Sequence, residues 1–193
     1  MPVDDAMSVP KKLLIEGLDR LGKDLLVRGV LNKYGYYQVL HFSKPQALDV
    51  YTAQEPSTAL QRYQEESFRT LFQLLLAPEA KVICNRAHLG ECVYAPLYRG
   101  YSGDYVFEIE RTFRADTLTA ARLLLLTEDF EAGHHFVDDG LGLGDASKRR
   151  DEQARFLAAF ERSTIADKRT ICVTDRKTGA FRPPQAILDE ALE

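Results

Sequence analysis

Gly17-Leu18-Asp19-Arg20-Leu21-Gly22-Lys23-Asp24 has the spacing G-x-x-x-x-G-K, with a short apolar run before it and helical spacing after it. A loop of this kind turns successive backbone N–H groups inward, and the helix that follows adds its positive N-terminal end. Lys23 then reaches the terminal phosphates of a bound nucleotide. The chemistry expected is capture of ATP with Mg²⁺ for phosphoryl transfer. A plain glycine turn joining strand to helix is the alternative, and it leaves Lys23 unexplained. Asp24 stands where the motif carries Ser or Thr as a magnesium ligand. A carboxylate can hold the ion directly or through water; the competing reading is a decayed site.

The loop needs a strand to end in it and a helix to leave it. Residues 11–16 form the first apolar run, expected as a buried parallel strand, and residues 22–33 carry helical spacing. Further strands are expected at 37–42, 81–84, 121–127 and 168–174, the leucine-rich fourth one central in the sheet. Helices are expected at 58–76, in pieces over 90–115, at 147–163 and at 183–192, with Tyr63, Phe68, Leu71, Phe72 and Leu75 sharing one face of the first of these. Five strands alternating with helices predict an α/β, three-layer architecture with a five-stranded parallel sheet and right-handed crossovers.

The 193 residues suit one domain (11–193) behind a short mobile tail (1–10). Apolar content of 45% excludes pervasive disorder, and a net charge of -4 argues against a surface made to coat duplex DNA. Cys84, Cys92 and Cys172 form no CxxC pair and are expected as reduced, buried thiols in a cytoplasmic setting. No run approaches the length of a membrane helix, and no signal peptide opens the chain, so no membrane partner is expected.

Residues 16–23 resemble the phosphate loop of thymidylate kinases, of the type with an arginine inside the loop. Asn85-Arg86-Ala87-His88-Leu89-Gly90-Glu91-Cys92-Val93-Tyr94 resembles that family's D-R-x-x-x-S-x-x-x-Y segment. With His41-Phe42-Ser43-Lys44-Pro45, the chain is most similar to the thymidylate-kinase-like proteins of bacteriophages. The resemblance implies that Arg20 acts as a built-in arginine finger; its alternative is a solvated loop arginine. It implies that Asp19 accepts a hydrogen bond from the acceptor's 3′-hydroxyl, where the residue alone reads as a turn former. Arg86 would grip the acceptor phosphate, its alternative being a surface salt bridge. Tyr94 would crowd the 2′ position, its alternative being a core tyrosine. Lys44 and Pro45 would touch the acceptor, and Phe68, Arg69 and Phe72 would stack on or read its base. Asn85 and Gly90 depart from the family's Asp and Ser, and a metal ligand relocated to Asp24 would compensate for the first.

Residues 133–150 fall where such kinases carry a lid, with Gly140, Gly142 and Gly144 as hinges and Lys148, Arg149 and Arg150 as its positive charge; the basic triplet alone reads as a solvated face. His134 and His135 near Asp138 and Asp139 are a poor metal site, since adjacent loop histidines diverge. Three functions remain open. The first is a kinase of deoxynucleoside monophosphates, dTMP or a related pyrimidine. The second is a kinase of a hydroxymethylated pyrimidine, free or within DNA. The third is an inactive nucleotide-binding module. A homodimer is an expectation of the resemblance.

Overall fold

In a computed structural model, the structure describes residues 10–42, 56–113, 121–132 and 146–193. β1 (Lys12–Gly17) is buried at every position and lies in the middle of a five-stranded sheet of order β2-β3-β1-β4-β5. Its neighbours are β3 (Val82–Asn85) and β4 (Ala121–Thr127), both also buried throughout, while β2 (Gln38–His41) and β5 (Asp167–Cys172) form the edges. All pairings are parallel. Continuous apolar runs belong in such interior strands, because helices cover both faces. β4 is therefore interior, but the middle position belongs to β1.

Six α-helices accompany the sheet among the described residues: α1 (Lys23–Tyr34), α2 (Pro56–Leu76), α3 (His88–Tyr98), α4 (Tyr105–Thr112), α5 (Ala146–Arg162) and α6 (Pro184–Leu192). They pack in two sets: α1 against α6, and α2, α3, α4 and α5 among themselves. The sheet between them holds Leu13, Leu14, Ile15, Ile83 and the four leucines of β4 at 0 to 1% exposure. Each such side chain contributes about 2 kcal/mol by leaving water.

The buried face of α2 carries Leu60, Gln64, Phe68, Leu71, Phe72 and Leu75, while Tyr63 is exposed. The aromatic expected at 63 thus yields to a glutamine one position on, which completes the i, i+4 stripe. Cys84 is buried, but Cys92 and Cys172 are only part-buried; all three thiols are free. Burial pushes the Cys84 thiol up, and it pushes Cys92 up to about 11. The chain order places the carboxyl ends of β1 and β3 side by side where the connections diverge to opposite edges. Ligand crevices of open parallel sheets form at such a point.

Candidate functional site: two clefts around the phosphate loop

β1 ends in Gly17 at φ 127, where a Cβ would stand 2.3 Å from Leu126 O, so no other residue fits between this turn and β4. Gly22, at φ 80, is the residue before α1 and lets the loop deliver its amides to the helix N-terminus. Leu18 and Leu21 are buried and anchor the loop from within. Lys23 is 5% exposed, and its Nζ donates to Gly17 O at 2.9 Å and to Leu18 O. Burial, with Arg86 nearby, pushes the Lys23 ammonium down to about 8. An anion brought to this loop would meet a desolvated cation already held on it.

Arg20 and Arg86 are the two non-glycine residues of the described chain in the left-handed region, each at φ 67. Side chains rarely occupy that region without a local reason, and it is common at functional turns. The two arginines lie in different clefts. Arg86 follows β3, its backbone N–H donating to Ile15 O at 2.9 Å. Its guanidinium pairs with Asp19 and meets His41 Nε2 at 2.9 Å. Burial and this guanidinium push the His41 ring below its ordinary range. Arg86 and Asp19 line a cleft of about 410 Å³ with Phe68, Tyr94, Arg99 and Glu16. Phe42 and Phe68 stack there with ring centroids 5.5 Å apart, and Tyr94 packs edge-on against Phe156 at 5.6 Å.

Arg20 lines a second cleft of about 370 Å³, bounded by Leu25, Phe181, Arg182, Pro183 and Ile187. The loop thus has one cleft on each side, one walled by α2 and α3, the other by α1 and the segment entering α6. The second cleft escaped the sequence reading. Its one signal is an exposed phenylalanine before an Arg-Pro-Pro turn.

The remaining candidates divide. Phe72 is fully buried and packs against His88 and Phe113, so it is core and not part of the cleft. Arg69 pairs with Glu65 one turn earlier on α2, at 2.7 Å, and does not line the cleft. Gln64, missed in the sequence, lines it instead. Lys44 and Pro45 lie outside the described residues, as do the hinge glycines and histidines of the expected lid. Of the basic triplet, Arg149 is buried in an ion pair with Glu128, Nε to Oε1 at 2.9 Å, and its Nη1 donates to Asp19 O at 3.4 Å. The triplet is therefore not one solvated face. Arg149 ties α5 to the phosphate loop, Lys148 sits 4.9 Å over the Tyr98 ring, and Arg150 packs on Phe130. Glu128, which anchors Arg149, gave no signal beyond a carboxylate just after an apolar strand.

Asp24 and Asn85, the two departures from the resembled motifs, are in contact: Asn85 Nδ2 donates to Asp24 Oδ1 at 2.5 Å. Asn85 is buried, and its Oδ1 has no hydrogen-bond partner. A carboxylate beside an unsatisfied carbonyl oxygen fits Mg²⁺, which takes oxygen ligands and retains waters. No group of three or more His, Cys, Asp or Glu side chains able to hold a metal occurs among the described residues. A magnesium ion here would therefore depend on phosphate and water for most of its shell.

No protein-family model matches the sequence, and no curated protein matches it. Among solved structures it is similar to the YorR protein of Bacillus subtilis in complex with phosphorylated GDP. The identity is 17% and the TM-score 0.60, over 92% of this chain and 91% of that one. It also matches a gluconokinase from Sinorhizobium meliloti (14% identity, TM-score 0.45, 95% and 90% covered). A dephospho-CoA kinase from Campylobacter jejuni matches with 10% identity and TM-score 0.42, over 94% and 97%. The YorR likeness is one of fold: this chain shares with it an α/β architecture, built here on a five-stranded, all-parallel sheet with six described α-helices.

Proposed function

We propose that this chain is an ATP-dependent kinase that passes the γ-phosphoryl group to a nucleoside monophosphate, dTMP or a related pyrimidine deoxynucleotide. The observation that carries the reading is the placement of Gly17–Lys23 between two clefts, with Arg86 and Asp19 facing the larger one. A triphosphate lying along the loop amides, with its base toward Phe181 and Ile187, would present its γ-phosphorus to that cleft. There a monophosphate held by Arg86 would supply the attacking oxygen. The new bond joins that oxygen to the γ-phosphorus, the bond to the β,γ-bridging oxygen breaks, and ADP leaves. Such transfer depends on positioning and on neutralising charge more than on covalent help.

Lys23 would stabilise the γ-phosphate oxygens, and Arg20 the charge that develops across the bridge. Magnesium, held by Asp24 and Asn85 with the phosphates, would supply further neutralisation. Phe42 and Phe68 offer an aromatic wall to a base, and Gln64 a polar edge within the same cleft. The nucleotide ligand of the YorR structure supports a nucleotide occupant for this architecture. No described helix is long and apolar enough to cross a membrane. A second reading, an acceptor with a hydroxymethylated pyrimidine, draws support from the room that the absent side chain of Gly90 leaves beside Glu16 and Tyr94.

ADP release coupled to NADH oxidation, read across the ribo- and deoxyribonucleoside monophosphates with ATP and Mg²⁺, tests the reading. One or a few acceptors should stand out by at least about tenfold in kcat/KM. Silence with every acceptor would refute it.

A further inference from the structure

Glu16, the residue before the last of β1, is fully buried and lines the larger cleft. Its Oε1 accepts hydrogen bonds from the backbone N–H groups of Ala87 (3.0 Å), Leu89 (2.7 Å) and Gly90 (3.3 Å). Its Oε2 accepts none, although it is buried. Buried polar atoms are rarely left this way, and an unsatisfied one is a standing penalty that a ligand can relieve. The phosphate-transfer machinery described above does not use this atom.

Gly90 faces the same atom. A Cβ at Gly90 would lie 3.6 Å from Glu16 Oε2 and 3.9 Å from the Tyr94 ring, both ordinary contact distances. Its φ lies outside the left-handed region, so neither the backbone nor crowding demands glycine there. What glycine provides is room between the carboxyl of Glu16 and the ring of Tyr94, on the wall of the cleft.

We infer that Glu16 is a specificity-determining residue, whose Oε2 hydrogen-bonds a hydroxyl group of the acceptor admitted through the space over Gly90. Burial raises the Glu16 carboxyl above its ordinary range, although His88 and the three amides oppose the shift. A hydroxyl is the group that satisfies Oε2 in either form: it donates to a carboxylate and accepts from a carboxylic acid. An N–H serves only the first and a carbonyl only the second. The 3′-hydroxyl is common to every nucleoside monophosphate and sets no preference among them; a hydroxyl that distinguishes acceptors has two sources, the ribose 2′ position and a hydroxymethyl substituent on the base. The inference rests on the kinase reading, since it assigns the cleft to the acceptor.

Two matched pairs of acceptors separate these sources on the full chain with ATP and Mg²⁺. UMP and dUMP differ only at the 2′-hydroxyl; 5-hydroxymethyl-dUMP and dTMP differ only by a hydroxyl on the base substituent. The expected result is that, in one pair, the hydroxyl-bearing member is preferred by about tenfold or more in kcat/KM. The pair that responds identifies the source, and a response at the 2′ position would replace the deoxyribose part of the kinase reading with ribose. Gly90→Ser places a hydroxyl of its own beside Oε2 and should bring that ratio within about twofold of unity. Gly90→Ala, which fills the space without a hydroxyl, should do the same and serves if the serine variant does not fold. Ratios near unity in both pairs, or a preference that survives both substitutions, would overturn the inference and leave the kinase reading standing. Turnover of none of the four, with another monophosphate accepted in the coupled assay, would overturn the inference alone; silence with every acceptor would remove the reading and the inference together.

Discussion

Two buried glutamates show how differently this fold treats its charges. Glu110, on α4, is saturated: His88 Nε2 at 2.7 Å, Ser163 Oγ at 2.9 Å, and both the hydroxyl and the backbone N–H of Thr164. Burial alone would raise its carboxyl, but the His88 and Thr164 hydrogen bonds outweigh that and hold it at about 2. Glu16, at the cleft, is satisfied on one oxygen only, and burial leaves its carboxyl raised. The first knits α3 and α4 to the turn after α5. The second keeps a polar atom in reserve where a ligand is expected. A structural charge is completed by the fold, and a recognition charge is left for its partner to complete.

The two carboxyls should therefore respond to pH with opposite signs. Glu110 has a folded value below its ordinary 4.5, so its stabilisation is present above 4.5 and lost as pH falls toward about 2. Replacing it, Glu110→Gln, strands His88 and should cost about 3 kcal/mol at pH 7 in urea unfolding. The gap from the wild type should narrow as pH drops from 4.5 to 2. A variant as stable as the wild type at pH 7 would break the contrast.

The effect at Glu16 should be smaller and reversed. Its folded value is raised, so its favourable contribution is present below 4.5 and lost as pH rises through the folded value. Glu16→Gln, which cannot be charged, should raise neutral-pH stability in the same urea experiment, with the gain vanishing below pH 4.5. A loss of stability at pH 7 would show that Glu16 is structural, as Glu110 is.

The strand–loop–helix unit around residues 17–23 is legible because its residues are contiguous and its flanks, an apolar run and a helical spacing, are local patterns. β1 and β4 were legible as continuous apolar runs, though which of them lies in the middle depends on crossovers that no local pattern reports. The buried face of α2 passes through Gln64 and leaves Tyr63 exposed, because the i, i+4 stripe set by Leu60 and Phe68, and not aromatic character, decides which side chain meets the core. Long-range partners were illegible for the same reason. Asp24 and Asn85 stand 61 positions apart, and their hydrogen bond follows from the pairing of β1 with β3. Glu128 and Arg149 meet because β4 ends where α5 returns to the sheet. The sequence nevertheless marked both Asp24 and Asn85 as departures, and their contact makes the two departures one feature.

The central claim is that Lys23 and the loop it closes hold a triphosphate. Lys23 is pushed down to about 8 in the protein, and phosphate oxygens would restore its proton. Calorimetric titration of ATP·Mg²⁺ at pH 8, in two buffers of different ionisation enthalpy, reads binding and proton uptake together. The expected result is binding with uptake of roughly half a proton by the wild type, and loss of both in Lys23→Met. No binding, or binding and proton uptake unchanged in Lys23→Met, would contradict it.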